Sequence, residues 1–259
     1  MTRWAANLST LYREHPFVER FARARADGFD TVEFWWPRGE DLPRVAEAVH
    51  ASALRVALLN IDAGDMAAGE RGYFSIAGRA ADALRATREA VAFARSVGCT
   101  QLNALVGNRT GGDEREQFER AKAGLRDAAA EAERAGVRLL IEALNVEENA
   151  RYLVHTTERA REVVAAVGHG ARLQYDAYHM GKMGEDIVAA AKDLGRGEIG
   201  HVQLADAPGR HEPGTGALPL DAFLAELDAS SYAGYVGLEY IPATETSAGL
   251  GWLRERRHA

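Results

Sequence analysis

The 259-residue sequence has a single cysteine, no apolar run long enough to cross a bilayer, no Pro/Gly/Ser-rich linker, no low-complexity segment and no surplus of basic charge. Each absence excludes something. Cys99 alone permits neither an internal disulfide framework nor a cysteine cluster for zinc, which suits a reducing compartment, and its position before a strand-like run marks it as a small buried residue. The amino-terminal MTRWAANLST lacks the apolar centre of a secretory signal, and no segment reaches the roughly eighteen apolar residues of a membrane span, so a cytoplasmic protein is expected. A net charge of −7 argues against a broad nucleic-acid or anionic-membrane surface, while leaving room for a small anionic substrate in a local cationic pocket.

What is present is an ordinary globular composition, 47% hydrophobic and 27% charged, arranged as an alternation. Strand-like runs at 4–8, 31–36, 54–60, 100–107, 138–142, 171–176, 199–204 and 235–240 are each followed by a helical pattern. In the helical stretches, Phe17, Phe21 and Ala24, then Leu42, Val45 and Val49, then Leu84, Thr87, Val91 and Ala94, then Phe118, Ala121, Leu125, Ala128 and Ala132, recur at helical spacing. Later helices are expected near 157–167, 186–194 and 220–228, with a closing one through Leu250 and Leu253. Eight strand–helix units without a linker predict an α/β fold, a single (β/α)₈ TIM barrel spanning 1–259.

Three finer features follow. Asp113 with Glu116 three residues later has the form of a capping box. The long GDMAAGERGYFSIAGR segment carries Gly64, Gly69, Gly72 and Gly78 for unusual backbone conformations, and Met66, Tyr73 and Phe74 as apolar residues. A lid or a subunit contact, and hence a homo-oligomer, are both open for it. The basic cluster at 254–258 reads as a solvated helix end.

The stretch RLLIEALNVEEN, 138–149, organises the functional reading. Its apolar run delivers Glu142 where a strand gives way to a polar loop, and in a parallel barrel the carboxyl ends of the strands face the active site. Asp176, Gln203 and Glu239 occupy the corresponding places on the sixth, seventh and eighth strands. Three carboxylates and an amide oxygen are hard donors, suited to Mg²⁺ or Mn²⁺ rather than zinc, and three converging anions would repel strongly without a cation.

Segments AANLSTLYREHPFVERFARARADGFDTVEF, AGDMAAGERG, LIEALN, LQYDAYHM, HVQLAD followed by GRHEPGTG, and GLEY resemble the hydroxypyruvate isomerase family, within the wider xylose-isomerase-like barrels. The likeness runs from Ala5 to about Trp252. It implies that Glu142 and Glu239 bind the metal and act as the acid/base pair, with Asp176 and Gln203 as the remaining ligands. By similarity to the related ketose 3-epimerases, Glu148, His179 and Arg210 would touch substrate oxygens, with Glu147 a competitor for the role of Glu148. Arg210, and after it Arg71, would anchor a substrate carboxylate.

The implied activity is metal-dependent interconversion of hydroxypyruvate and tartronate semialdehyde through an enediolate, a step of glyoxylate and carbohydrate metabolism. 2-Oxo-tetronate isomerisation and ketose 3-epimerisation are the neighbouring possibilities on the same site, and a non-catalytic binding protein for a metal or sugar acid is the alternative of a different class. The epimerases generally carry His where this chain has Gln203. DNA-repair endonucleases share the barrel but need several histidine ligands and a basic groove, which eight scattered histidines and an acidic balance do not supply. Two departures stand out. Ile241 occupies the place of a family lysine, and WWPRGE, with Trp35, Trp36 and Arg38, replaces an aromatic run followed by Pro-Tyr, leaving Arg38 to restore the missing charge.

Overall fold

The computed structural model describes residues 2–194, 197–230 and 232–258, apart from the side chains of Leu194, Arg257 and His258. Eight parallel strands follow one another around a closed barrel: β1 (Arg3–Asn7), β2 (Thr31–Phe34), β3 (Arg55–Asn60), β4 (Gln101–Asn103), β5 (Arg138–Glu142), β6 (Arg172–Asp176), β7 (Ile199–Leu204) and β8 (Tyr235–Leu238). The (β/α)₈ expectation is met. β8 returns to β1 with Arg3 opposite Tyr235 and Ala6 opposite Leu238, so the described sheet has no open edge.

The helices form the outer layer: α1 (Phe17–Ala26), α2 (Leu42–Ser52), α3 (Ala80–Ser96), α4 (Glu114–Arg134), α5 (Thr157–Val167), α6 (Ala177–Lys182), α7 (Ile187–Leu194), α8 (Leu220–Ala229), α9 (Thr246–Gly249) and α10 (Gly251–His258). Their apolar stripes explain where they lie. In α4, the five positions singled out by helical spacing, Phe118 through Ala132, are all buried against the barrel. In α3 the buried stripe is Ala83, Ala86, Thr87, Ala90, Val91, Phe93 and Ala94, and Leu84 sits at its margin. Edge-to-face contacts among Phe17, Phe21, Phe34 and Phe93 tie α1 and α3 to β2. Cys99 is buried, and burial pushes its thiol up to about 12, so it is an inert packing group.

Local details depart from the sequence pattern in four places. Only half of the capping box forms: Asp113 Oδ1 accepts from the Arg115 N–H at 2.8 Å, and among the described residues Glu116 returns no bond. α6 begins directly after β6, too short to leave a periodic signature, and Asp176 is its cap, accepting from the N–H groups of Tyr178 and His179. Tyr73 and Phe74 are buried at 5% exposure each rather than presented to solvent, and Met66 is half-buried. The basic carboxyl-terminal stretch is partly paired, with Arg256 on Asp221 and Arg254 on the Ser247 carbonyl at 3.0 Å, while the side chains of Arg257 and His258 lie outside the described residues.

The glycines of the long loop are needed in one place above all. Gly72 has φ +99° and donates its N–H to the Ala63 carbonyl at 2.8 Å, which brings the loop onto the β4 end. A Cβ there would lie 1.9 Å from the Leu105 carbonyl oxygen. Gly72→Ala therefore meets backbone on top of an unfavourable φ, and a loss of more than about 1–3 kcal/mol is expected in denaturant unfolding. A change below about 0.5 kcal/mol would show that the loop relaxes freely.

Candidate active site

Each of the eight strands brings a polar residue to its last turn: Asn7, Glu33, Asn60, Asn103, Glu142, Asp176, Gln203 and, one residue past β8, Glu239. All eight are buried. Seven of them are bonded to one another or to close neighbours. Asn103 Nδ2 donates to Glu142 Oε2 at 2.7 Å, Asn7 Nδ2 donates to both Glu33 Oε1 at 3.0 Å and Glu239 Oε1 at 3.2 Å, and Trp35 Nε1 donates to Glu239 Oε1 at 2.5 Å. Gln203 Nε2 donates to Glu33 Oε1 at 2.6 Å, so its Oε1 faces the other way, where it accepts from Gln174 Nε2 at 2.5 Å.

Glu33 is the residue that the strand-end pattern missed. It is fully buried, its other oxygen meets His201 Nε2 at 2.5 Å, and Gly237 leaves the room for its carboxylate, since a Cβ on Gly237 would stand 2.3 Å from Oε2. The signal available was the acid in TVEF, one residue short of the strand end, and it was hidden in an apolar run. Asn7, Asn60 and Asn103 carried the same strand-end signal as Glu142, in neutral form.

The carboxylates are held in an environment hostile to their charge. Burial, with Glu239 and Asp176 nearby, raises Glu142 well above the ordinary carboxylate value, against the Asn103 hydrogen bond and Arg210, which pull it down. Burial raises Asp176 despite Arg210 and the two N–H groups of α6. Glu239 is pushed up to about 8 by burial, with Arg210 opposing and Asp176 and Glu33 reinforcing the shift. Arg210 is the half-buried counter-cation, 2.9 Å from Glu239 Oε2 and 3.5 Å from Glu148 Oε2. Burial works against its charge, and Glu239, Asp176 and Glu148 outweigh that.

Arg210 rides on the loop after β7, organised by the buried Asp206, whose oxygens accept from the N–H groups of Ala207, Gly214 and Leu218. Above the ring lies a cavity of about 110 Å³, lined by Glu142, Glu148, His179, Arg210, Arg71 and Glu239 among others. Six of the eight sequence-derived site residues are thus brought to one space. Asp176 and Gln203 lie beneath it, at 2% and 1% exposure. Glu148 faces the cavity, bonded to the Tyr178 hydroxyl, and burial is overcome by that bond and Arg210 to keep it below its usual value. Glu147 instead points outward to Lys182 at 2.6 Å. Arg71 is held by Asn149 Oδ1 at 2.7 Å and by the carbonyls of Met66 and Glu70.

His179 has a fixed tautomer. Its Nδ1 faces two donors, the Asn145 backbone N–H at 3.3 Å and Asn145 Nδ2 at 2.7 Å, and the amide orientation is set by Asn145 Oδ1 accepting from the Glu148 N–H at 2.9 Å. Nδ1 therefore accepts, and Nε2 carries the hydrogen, 3.7 Å from Asp176 Oδ2. Burial, with Arg210, Lys182 and Arg71, holds the ring well below its ordinary pKa and neutral. Donor atoms of Glu142, Asp176 and His179 lie within 4.8 Å of one another, yet a protonated Nε2 offers a hydrogen rather than a lone pair. The fitting metal donors are the oxygens of Glu142, Asp176 and Glu239, with Gln203 Oε1, which keeps a second lone pair. Three buried acids whose charges disfavour one another, beside one guanidinium, form a site that a divalent cation would neutralise.

Two sequence departures lose their expected bearing on this cavity. Ile241 is 45% exposed and lines neither this cavity nor the larger one beside it. Arg38 lines only the larger cavity, where it donates to both oxygens of Asp62 at 2.7 and 2.6 Å, so it does not restore a cation among the carboxylates.

Residues 21–256 match the profile of the xylose isomerase-like TIM barrel. The chain belongs to that family. It is 36% identical to a hydroxypyruvate isomerase of Escherichia coli, covering 98% of each chain, and 36% identical to a 2-oxo-tetronate isomerase of Cupriavidus necator, again covering 98% of each. Among solved structures, one described as an AP endonuclease, family 2, from Brucella melitensis superposes with a TM-score of 0.94 at 34% identity, over 98% of this chain and 99% of that one. The relatives make the chain an isomerase of the family. Among the described residues, no helix is long and apolar enough to cross a membrane.

Two stability measurements check the electrostatics. Glu33→Ala strands His201, Gln203 and Asn7 together, and a loss on the order of 3–5 kcal/mol is expected in unfolding. The raised carboxylates work in the opposite sense. A group whose folded pKa is raised contributes stability that is present below its unfolded pKa and is lost as pH climbs through the folded one. For these acids the window opens near the ordinary 4.5 and extends to about 8 at Glu239. Metal-free protein should therefore melt progressively lower from about pH 5 to 8, and Glu142→Gln should melt higher than wild type at the upper end, by about 2–4 °C per kcal/mol relieved. A Glu142→Gln protein no more stable than wild type at pH 8 would contradict the crowding.

Proposed function

We propose that the chain is a divalent-metal-dependent isomerase interconverting hydroxypyruvate and tartronate semialdehyde. The observation that carries this reading is the convergence of Glu142, Glu239 and Arg210 on one small cavity: two buried carboxylates and a half-buried cation. The two isomerases related over almost their whole lengths support it.

Glu142, Asp176, Gln203 and Glu239 would hold Mg²⁺ or Mn²⁺, which when bound polarises a 2-oxo group and acidifies the adjacent C–H. One of the two glutamates removes a proton from C3 of hydroxypyruvate, and the electron pair moves through C2 to its oxygen to give the enediolate. The other returns a proton at C2, while the hydroxyl proton passes from the C3 oxygen to the C2 oxygen, so that the C2 ketone becomes an alcohol and the C3 alcohol an aldehyde. Arg210 and the Nε2–H of neutral His179 face the developing oxyanion, and their being fixed in advance is what lowers its energy. Glu148 acts on a substrate hydroxyl from the cavity wall, and Arg210, with Arg71 behind it, balances the carboxylate.

The site does not favour phosphodiester hydrolysis, despite the description carried by one structural relative. Among the described histidines at the ring, His179 uses Nδ1 to accept from Asn145 and His201 is engaged by Glu33, which leaves a multi-zinc cluster short of histidine ligands. Ketose epimerisation differs in needing no carboxylate anchor.

The test is metal-free protein resupplied with Mg²⁺ or Mn²⁺ and given hydroxypyruvate in D₂O, following tartronate semialdehyde and carbon-bound deuterium. Both should appear, and Glu142→Gln and Glu239→Gln should each lower kcat by about 10²-fold or more while melting as cooperative folded proteins. Exchange that survives in both variants would remove the two glutamates from the reaction. Turnover of ketoses without any 2-oxo acid would move the activity to epimerisation.

A further inference from the structure

At the amino-terminal mouth of the barrel, opposite the candidate active site, several strands begin on cations. Side chains alternate along a strand, so the residue four before a member of the acidic ring lies on the same inner face. Counting back from Asn7, Glu142, Asp176 and Glu239 gives Arg3, Arg138, Arg172 and Tyr235. Gly200 fixes the direction for Arg172. A Cβ on that glycine would lie 2.4 Å from Leu140 Cδ2 and 3.2 Å from Arg172 Cβ, so Arg172 shares its face with Leu140, two residues before Glu142. Arg3 and Arg55 both donate to the Tyr235 hydroxyl. Burial pushes that phenol up, but Thr31, Arg55 and Arg3 outweigh it and bring it below its ordinary value, the mark of a positive local potential in a chain of net charge −7.

Arg138 and Arg172 are uncommitted. Both line a cavity of about 450 Å³ at this mouth, and among the described residues neither guanidinium has a hydrogen-bond or ion-pair partner. Burial and the charge of Arg172 hold Arg138 below the usual guanidinium value, so the two cations are close enough to repel. Arg161, on the same wall, is already spent on Asp193 and Glu198, at 2.8 Å to each.

We infer that this cavity is a second ligand site, in which Arg138 and Arg172 clamp the head of a phosphate or phosphate-monoester dianion. A dianion offsets both charges, and two planar guanidinium forks match its tetrahedral oxygens. A monocarboxylate would leave one cation unmet. Val164, Ala165 and Leu173 give a short carbon chain apolar surface on the same walls. An extended polyanion is disfavoured, because Glu198 lines this cavity and Glu133 the adjoining one around Arg138. The site lies about 13 Å along β5 from Glu142 and does not depend on the reaction assigned there.

The experiment titrates inorganic phosphate and glycerol phosphate into the full chain at constant ionic strength, with chloride as the reference anion, by calorimetry and thermal melting. Wild type should bind both probes and melt higher with them than with chloride. The double variant Arg138→Gln, Arg172→Gln should bind about tenfold or more weakly, while its ligand-free form melts no lower than wild type because the repulsion is gone. Arg210→Gln, at the other end of the barrel, should bind as wild type does. Tighter binding of glycerol phosphate identifies an ester as the ligand, and equal or weaker binding identifies phosphate itself; both support the site. Phosphate acting no differently from chloride, affinity retained in the double variant, or affinity lost in Arg210→Gln would each overturn it.

Discussion

The structure depends on burying several carboxylates at the mouth of one barrel. Burial raises Glu142, Asp176 and Glu239; Glu239 and Asp176 add to the shift of Glu142, Asp176 to that of Glu239, and Glu33 to those of Asp176 and Glu239, with the half-buried Arg210 as the cation among them. Left alone, such a ring would be a liability in a medium of low dielectric. The chain manages it with fixed donors: Asn103 on Glu142, Trp35 and Asn7 on Glu239, Asn7, Gln203 and His201 on Glu33, and the first N–H groups of α6 on Asp176. The residual crowding is an unmet demand for positive charge, the physical sense in which the ring fits a cation.

That demand constrains features far from the mouth. Gly237 is glycine because the Glu33 carboxylate occupies the space of its Cβ. Gln203 has its amide orientation fixed, its nitrogen donating to Glu33 and its oxygen accepting from Gln174. Arg210 must reach into the ring to counter it, and its backbone adopts φ +56° on a loop that Asp206 pins from inside. One electrostatic problem thus sets a strand glycine, an amide orientation and a loop conformation.

The alternation of eight strands and helices was legible because the periods of 2 and 3.6 are written in the apolar residues, as the buried stripe of α4 illustrates. The strand-end acids were legible too, since charge at the carboxyl end of a barrel strand is a conspicuous signal. Less visible was everything that depends on long-range register. Glu33 and His201 lie 168 residues apart, and nothing local in TVEF or IGHVQL says that they share a bond. α6 left no pattern because its helix is shorter than two periods. The significance read into Ile241 and Arg38 failed for the same reason: sequence gives a residue's neighbourhood along the chain but not the direction of its side chain.

The amides at Asn7, Asn60 and Asn103 show how a neutral ring member acquires meaning only in context. Asn7 and Asn103 are consumed by carboxylates of the ring, which makes them part of the charge management. Asn60 has the same chemistry at the same level of the barrel, but the side of the ring it faces holds cavity rather than carboxylate. The ring therefore divides into a charged sector around Glu142, Asp176, Gln203 and Glu239, and a neutral sector at β3.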